Sequence, residues 1–186
     1  IGSSFATEGN FAIVLNAEAQ LSSPVIFSNT AGVTLGDATT DLFEFGGGLT
    51  STSSVTMVQG TIHSTNAPLV FGDLVLAGNT TLTGSTITLG SITGVGNLVI
   101  NGAVTLNGRI DIVGTLTVNG TLILGNDAEL SFNGTTILAS AIQGLFSLTK
   151  GGDGALRLNN QSFAGQLTVV DGVVELPNGL LGQLVL

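Results

Sequence analysis

His63 is the single imidazole in the chain, and so the first place to look for proton transfer or nucleophile activation. A triad would set it beside a Ser and an acid. It lies instead in a Ser/Thr/Asn stretch, and the sequence has no Gly-x-Ser-x-Gly elbow to present a nucleophile. An exposed histidine is the simpler reading. Cysteine is absent, which removes thiol catalysis, disulfides and thiolate zinc sites and suits export without oxidative folding. Glycan cleavage needs carboxylates clustered on one face of neighbouring elements, or cations working with calcium. The twelve acids here are scattered, and the only cations are Lys150, Arg109 and Arg157. Asp37, Asp41 and Glu44 form an acidic cluster that could hold calcium weakly, although a solvated loop explains it as well. Gly151-Gly152-Asp153-Gly154 has the composition of a calcium-binding turn but occurs once, and reads as a plain turn. No residue is therefore assigned as catalytic, cofactor-binding or metal-ligating, and the chain is not expected to be an enzyme.

Threonine pairs at Thr81/Thr83 and Thr86/Thr88 raise a different chemistry, the ordering of water on a flat Thr face. That requires the pair on coil after coil, whereas Thr105 and Thr117 are single; β-branched residues on ordinary strands account for them. Four Asn-x-Ser/Thr triplets, at Asn79, Asn119, Asn133 and Asn160, are what a chain rich in Asn and Thr produces by chance.

The elements that must position all of this are written in glycine. Gly72, Gly78, Gly84, Gly90, Gly96, Gly102, Gly108, Gly114 and Gly120 stand six residues apart. Neither a helix of period 3.6 nor an ordinary hairpin set produces that beat; a chain turning a corner every six residues, three sides per turn, is a β-solenoid. From Leu98 to Leu124 apolar pairs alternate at Leu98/Ile100, Val104/Leu106, Ile110/Ile112, Leu116/Val118 and Leu122/Leu124. Each makes a short strand with one face inward. Asn-Gly corners at Asn101-Gly102, Asn107-Gly108 and Asn119-Gly120 supply the positive φ of a tight turn. Thr105, Asp111, Thr117 and Thr121 make a mostly polar exterior.

Val33-Thr34-Leu35-Gly36, Leu69-Val70-Phe71-Gly72, Ile87-Thr88-Leu89-Gly90 and Leu122-Ile123-Leu124-Gly125 echo one another one or two coils apart. The expectation is an all-β, right-handed parallel β-helix of about 18 residues and three short strands per coil. Right-handedness is expected because a residue intervenes between the aliphatic position and Gly, unlike in left-handed hexapeptide helices. About eight coils at about 4.8 Å give a rod near 40 Å. An antiparallel meander of four-residue strands is the alternative, since Asn-Gly also makes hairpins, but it would bury almost nothing.

Composition bounds the partners. Charged residues are 8%, the net charge is −9, and mean hydropathy is +0.58. Gly, Asn, Thr or Ser interrupts every apolar run well short of the roughly 20 residues that span a bilayer, so no membrane insertion is expected. Without a basic patch, Tyr or Trp, nucleic acid is excluded. Val99, Val113 and Ile123, with Val75, should point outward and could align as an apolar stripe, which favours end-to-end or lateral self-association. The chain starts at Ile1, as a processed protein or an excised segment would. Residues 1–32 lack the beat and are expected to form an N-terminal cap or irregular region. Coils occupy 33–147, a distinct unit 148–176, and an apolar tail or cap 177–186.

That unit carries Leu148, Lys150, Gly152, Gly154, Leu156, Leu158, Phe163, Gly165, Val169, Gly172, Val174 and Leu176. It resembles the passenger-associated repeat of bacterial autotransporters, whose pattern is an apolar residue, a Lys, spaced glycines, Leu-x-Leu, an aromatic-x-Gly step and Gly-x-apolar-x-apolar. One residue is missing before Phe163, Asn160 replaces a usual Gly, and Ser162 a common Asn. The remaining coils are similar in composition to haemagglutinin-type exoproteins. The resemblance implies a secreted right-handed β-helix at the outer surface of a diderm bacterium. Its expected role is structural or adhesive, as a fibre subunit or adhesin stalk, with a host or cell-surface glycan or protein as a further partner. The alternatives are a glycan-binding or glycan-cleaving helix and a Thr-face ice-binding solenoid.

Overall fold

A computed structural model describes residues 5–163, 165–176 and 183–185 of the chain. Every strand pairing among them is parallel, which rules out the hairpin meander. The chain coils into a β-solenoid of about eight turns and about 19 residues per turn. Each turn has three sides, and each side stacks into a face. The first face begins with Phe5–Gly9 and continues through Val25–Asn29, Leu49–Ser51, Leu69–Phe71 and onward to Leu122–Leu124. The second begins with Ile13–Leu15 and Val33–Leu35, the third with Ala19–Leu21 and Leu42–Phe45. Some strands bend round a corner without a break: Leu74–Leu89 crosses all three faces. No helix of the described residues is long and apolar enough to cross a membrane.

The expected coil of 18 residues holds in the middle, where Leu98 pairs with Leu116 and Val104 with Leu122. Elsewhere it varies. Ala19 pairs with Phe43, 24 positions on, because the loop 36–41 is inserted in that turn. Ile110 pairs with Leu130, 20 positions on. Between Thr83 and Thr86 the register slips, so that Ile87 stacks under Val104, 17 positions on; this is why Ile87 and Leu89 fall out of step with the later beat. Phe5 already pairs in parallel with Val25, and the coils before residue 33 lack the six-residue beat because they are 20 to 24 residues long.

The inward residues named from the alternation are all buried, from Leu98 and Ile100 to Leu122 and Leu124. They stack as ladders along the axis: Phe43, Ile62, Leu82, Ile100 and Val118 lie one above another on the third face. Each inward side chain is closed in from above and below as well as from the opposite faces, and that produces near-complete burial in so thin a core.

The glycines work differently from the expectation. Of the nine on the beat only Gly96 and Gly102 have positive φ. Gly90, Gly108, Gly114 and Gly120 are required by close approach, because each of these corners stacks on the corner 18 residues earlier. A Cβ on Gly120 would lie 1.9 Å from the Gly102 carbonyl oxygen, and one on Gly114 would lie 2.2 Å from that of Gly96. The beat of six is thus three corner columns, each repeating at 18.

Candidate functional site

Outward side chains meet their neighbours along the axis rather than along the chain, so chemistry on this surface is built across coils. On the third face the outward column runs Gln20, Glu44, His63, Thr83, Asn101. Gln20 Nε2 donates to Glu44 Oε2, and His63 Nδ1 stands 3.8 Å from Glu44 Oε1. A groove of about 210 Å³ opens over this group, lined by Gln20, Leu21, Ser22, Glu44, Gly46, His63 and Thr65. A second hollow of about 330 Å³ adjoins it and shares Gln20 and Glu44, with Glu18, Ala19 and Leu42. His63 is thus part of a cross-coil pair with Glu44, half exposed as the sequence suggested. The pair was not legible in sequence, since Glu44 lies 19 positions before His63, off the beat of 18.

That loop also disposes of the acidic cluster. Asp41 Oδ2 accepts from the backbone N–H of Asp37 and of Ala38, each at 2.9 Å, which makes it a turn-forming side chain. Glu44 faces Gln20 and His63 instead. Among the described residues no group of three or more His, Cys, Asp or Glu is arranged to hold a metal ion.

Further along, the corners are tied by polar ladders at a spacing of 18. Asn119 Nδ2 donates to Asn101 Oδ1 at 2.7 Å, and Asn101 Nδ2 to Thr83 Oγ1 at 3.1 Å. Asn97 Oδ1 accepts from both the backbone N–H and the hydroxyl of Thr115 at 3.0 and 2.9 Å. Asn in these corners is therefore an inter-coil clamp, satisfying groups that a solvated turn would leave to water.

Lys150 holds the least expected position. On the second face the inward ladder reads Ile92, Ile110, Leu130, and then Lys150, fully buried where an aliphatic residue belongs. Its ammonium donates to the carbonyls of Gly151 and Gly152 and to that of Asp171 at 3.3 Å, and lies 4.6 Å from the centre of the Phe132 ring. Burial pushes its pKa below 10.5, opposed by the charges of Asp171 and Asp153. Gly151-Gly152-Asp153-Gly154 is the turn that wraps this cation, two of its carbonyls aimed inward. Of the other unit residues, Leu148, Leu156 and Leu158 are in the core. The side chain of Phe163 and most of the tail 177–186 lie outside the described residues.

The apolar outward residues do not form the expected stripe. Each does point outward, but Val99 sits on the third face, Val75 and Val113 on the second, and Ile123 on the first. The Thr pairs divide as well, Thr81/Thr83 on the third face and Thr86/Thr88 on the first. What lines up on the first face is Ile26, Thr50, Val70, Thr88, Thr105, Ile123 and Gln143, one per coil and all uncharged. Set against known proteins, the chain matches no family model, no curated protein and no solved structure.

Proposed function

We propose that this chain is a non-enzymatic structural or adhesive β-solenoid that associates with copies of itself, as a fibre subunit or as the stalk of a surface adhesin. The observation that supports the reading is the repetition of outward ladders in register over successive coils. Such a surface offers an extended, uniform contact rather than a point site, and its uncharged β-branched residues suit packing against another flat face. The resemblance of residues 148–176 to the passenger-associated repeat is what supports a place outside a diderm bacterium, and the Leu148, Leu156 and Leu158 that carry part of it are core residues of the last coils. Negative-stain microscopy with sedimentation velocity of the purified chain tests this. Rods that bundle or lengthen as concentration rises are expected; isolated short rods at every concentration would overturn self-association.

A second reading rests on the groove over Gln20, Glu44 and His63 together with the hollow that adjoins it, where carboxylates Glu18 and Glu44 come from adjacent coils. Carboxylate and amide oxygens there could accept hydrogen bonds from glycan hydroxyls. Glycan-array binding that disappears in Glu44→Ala would favour this role; the same array without any signal would remove it.

A further inference from the structure

From its second coil onward the first face carries no charge. The five residues spanning each side, from 24–28 and 48–52 through 86–90 and 103–107 to 141–145, include neither acid nor base. The other faces differ. Asp111 and Glu129 point out from the second, Glu44, Arg157 and Glu175 point out from the third, and Asp73, Arg109 and Asp127 stand at the corner that the first and second faces share. In a chain of net charge −9, two copies meeting through either of those faces would oppose outward carboxylates at their centre, whereas the outward column of the first face opposes none.

We propose that the first face is a lateral interface on which one copy of this chain packs against a second, antiparallel copy. The proposal rests on the self-association reading above and names the surface that performs it. The central column is self-complementary about a two-fold axis between Thr88 and Thr105. Thr88 of one copy then meets Thr105 of the other, and Val70 meets Ile123. Two flat β-faces would pack about 10 Å apart, as sheets do in a sandwich. Seven coils at about 4.8 Å by five residues at about 3.3 Å give roughly 500 Å² per copy, about 1,000 Å² in all. That is at the lower edge of specific interfaces, so the dimer is weak and depends on concentration. A charged lipid surface or nucleic acid gains nothing from this uncharged face, and its outward column of Ile, Thr, Val and Gln offers no ring for a sugar to stack on.

The test uses the full chain. Thr88→Glu with Thr105→Glu places like charges opposite each other at the axis. Thr93→Glu with Thr117→Glu adds the same charge to the outward positions of the second and third faces. Sedimentation velocity over a concentration series reads the outcome, with circular dichroism showing that each variant is folded. The first pair should weaken association at least about tenfold and the control pair should not. Because the chain has no cysteine, Val70→Cys with Ile123→Cys, treated with a short bis-maleimide, gives a second readout. These positions lie three coils apart, about 14 Å, beyond a short linker within one copy, whereas facing residues on sheets about 10 Å apart are within its reach, so treatment should yield a covalent dimer. Association undiminished in the Thr88/Thr105 variant, with no covalent dimer, would overturn the first-face assignment while leaving self-association standing. A wild-type chain that stays monomeric throughout would overturn both.

Discussion

At the scale of the residue, position in a ladder outweighs the side chain's own chemistry. Leu116 is buried between Leu98 below it and the opposite faces, and Thr136 Oγ1 accepts from its backbone N–H. Leu116→Asp or Ile110→Asp would put an unpaired carboxylate into that core, at a cost of more than about 4 kcal/mol. Loss of the cooperative melting transition is the expected result, and an unchanged transition would show that these residues do not face inward. Lys150 is the natural case of a charge in the same kind of place, tolerable because three carbonyls and an aromatic face meet it. Lys150→Met leaves those carbonyls without their donor, and should loosen the last coils by about 1–3 kcal/mol, visible as faster amide exchange over 148–176. The pH dependence has a definite sign. With the folded-state pKa below 10.5, the unfolded chain holds more protons than the folded one between that pKa and 10.5. Lys150 therefore makes stability rise with pH across that window, on top of whatever the other groups contribute. Denaturant midpoints measured across it should show this rise in the native chain and lack it in Lys150→Met.

At the scale of the element, the coil is the unit of structure, and its strands have no independent existence. Ile110 stacks on Ile92, which stacks on Leu74; Thr115 caps to Asn97, which caps to Asn79. Deleting residues 92–109, one whole turn, sets Ile110 on Leu74 and Thr115 over Asn79 with every inward residue still inward. Deleting only 92–100 sets the downstream strands against the wrong faces. The first deletion should keep a cooperative melt with a smaller denaturant slope, as expected when stability sums over neighbouring coils. The second should lose structure from the junction onward. Circular dichroism and urea titration of the two variants compare them directly, and equal behaviour would mean that the coil is not the repeating unit.

At the scale of the whole molecule, a charge of −9 on a thin rod opposes association at long range, while the first face presents an uncharged contact. Salt screens exposed charges beyond about 8–10 Å and leaves the apolar contact in place. Self-association should accordingly strengthen as sodium chloride is raised, read as a shift of the sedimentation distribution toward dimer at fixed protein concentration. Weakening with salt would indicate that ion pairs such as Arg109–Asp111 or Arg157–Glu175 are exchanged between copies.

The sequence by itself determined the solenoid, its three sides, the 18-residue coil and the inward set from Leu98 to Leu124. A solenoid's contacts recur at a fixed sequence distance, so packing leaves a period that can be read without coordinates. Which outward residues share a face along the whole rod was decided only by the tertiary structure. Face membership depends on phase accumulated along the axis, and each irregularity shifts everything beyond it: the loop 36–41, the slip between Thr83 and Thr86, the 20-residue turn from Ile110 to Leu130. Within the regular stretch six residues per side already separate Val99, Val113 and Ile123 onto three faces, but only the stacked register, carried across those breaks, sets Glu44 beside His63 and turns Lys150 inward. Local alternation sets in from out; across the breaks, only the stacked register sets which side.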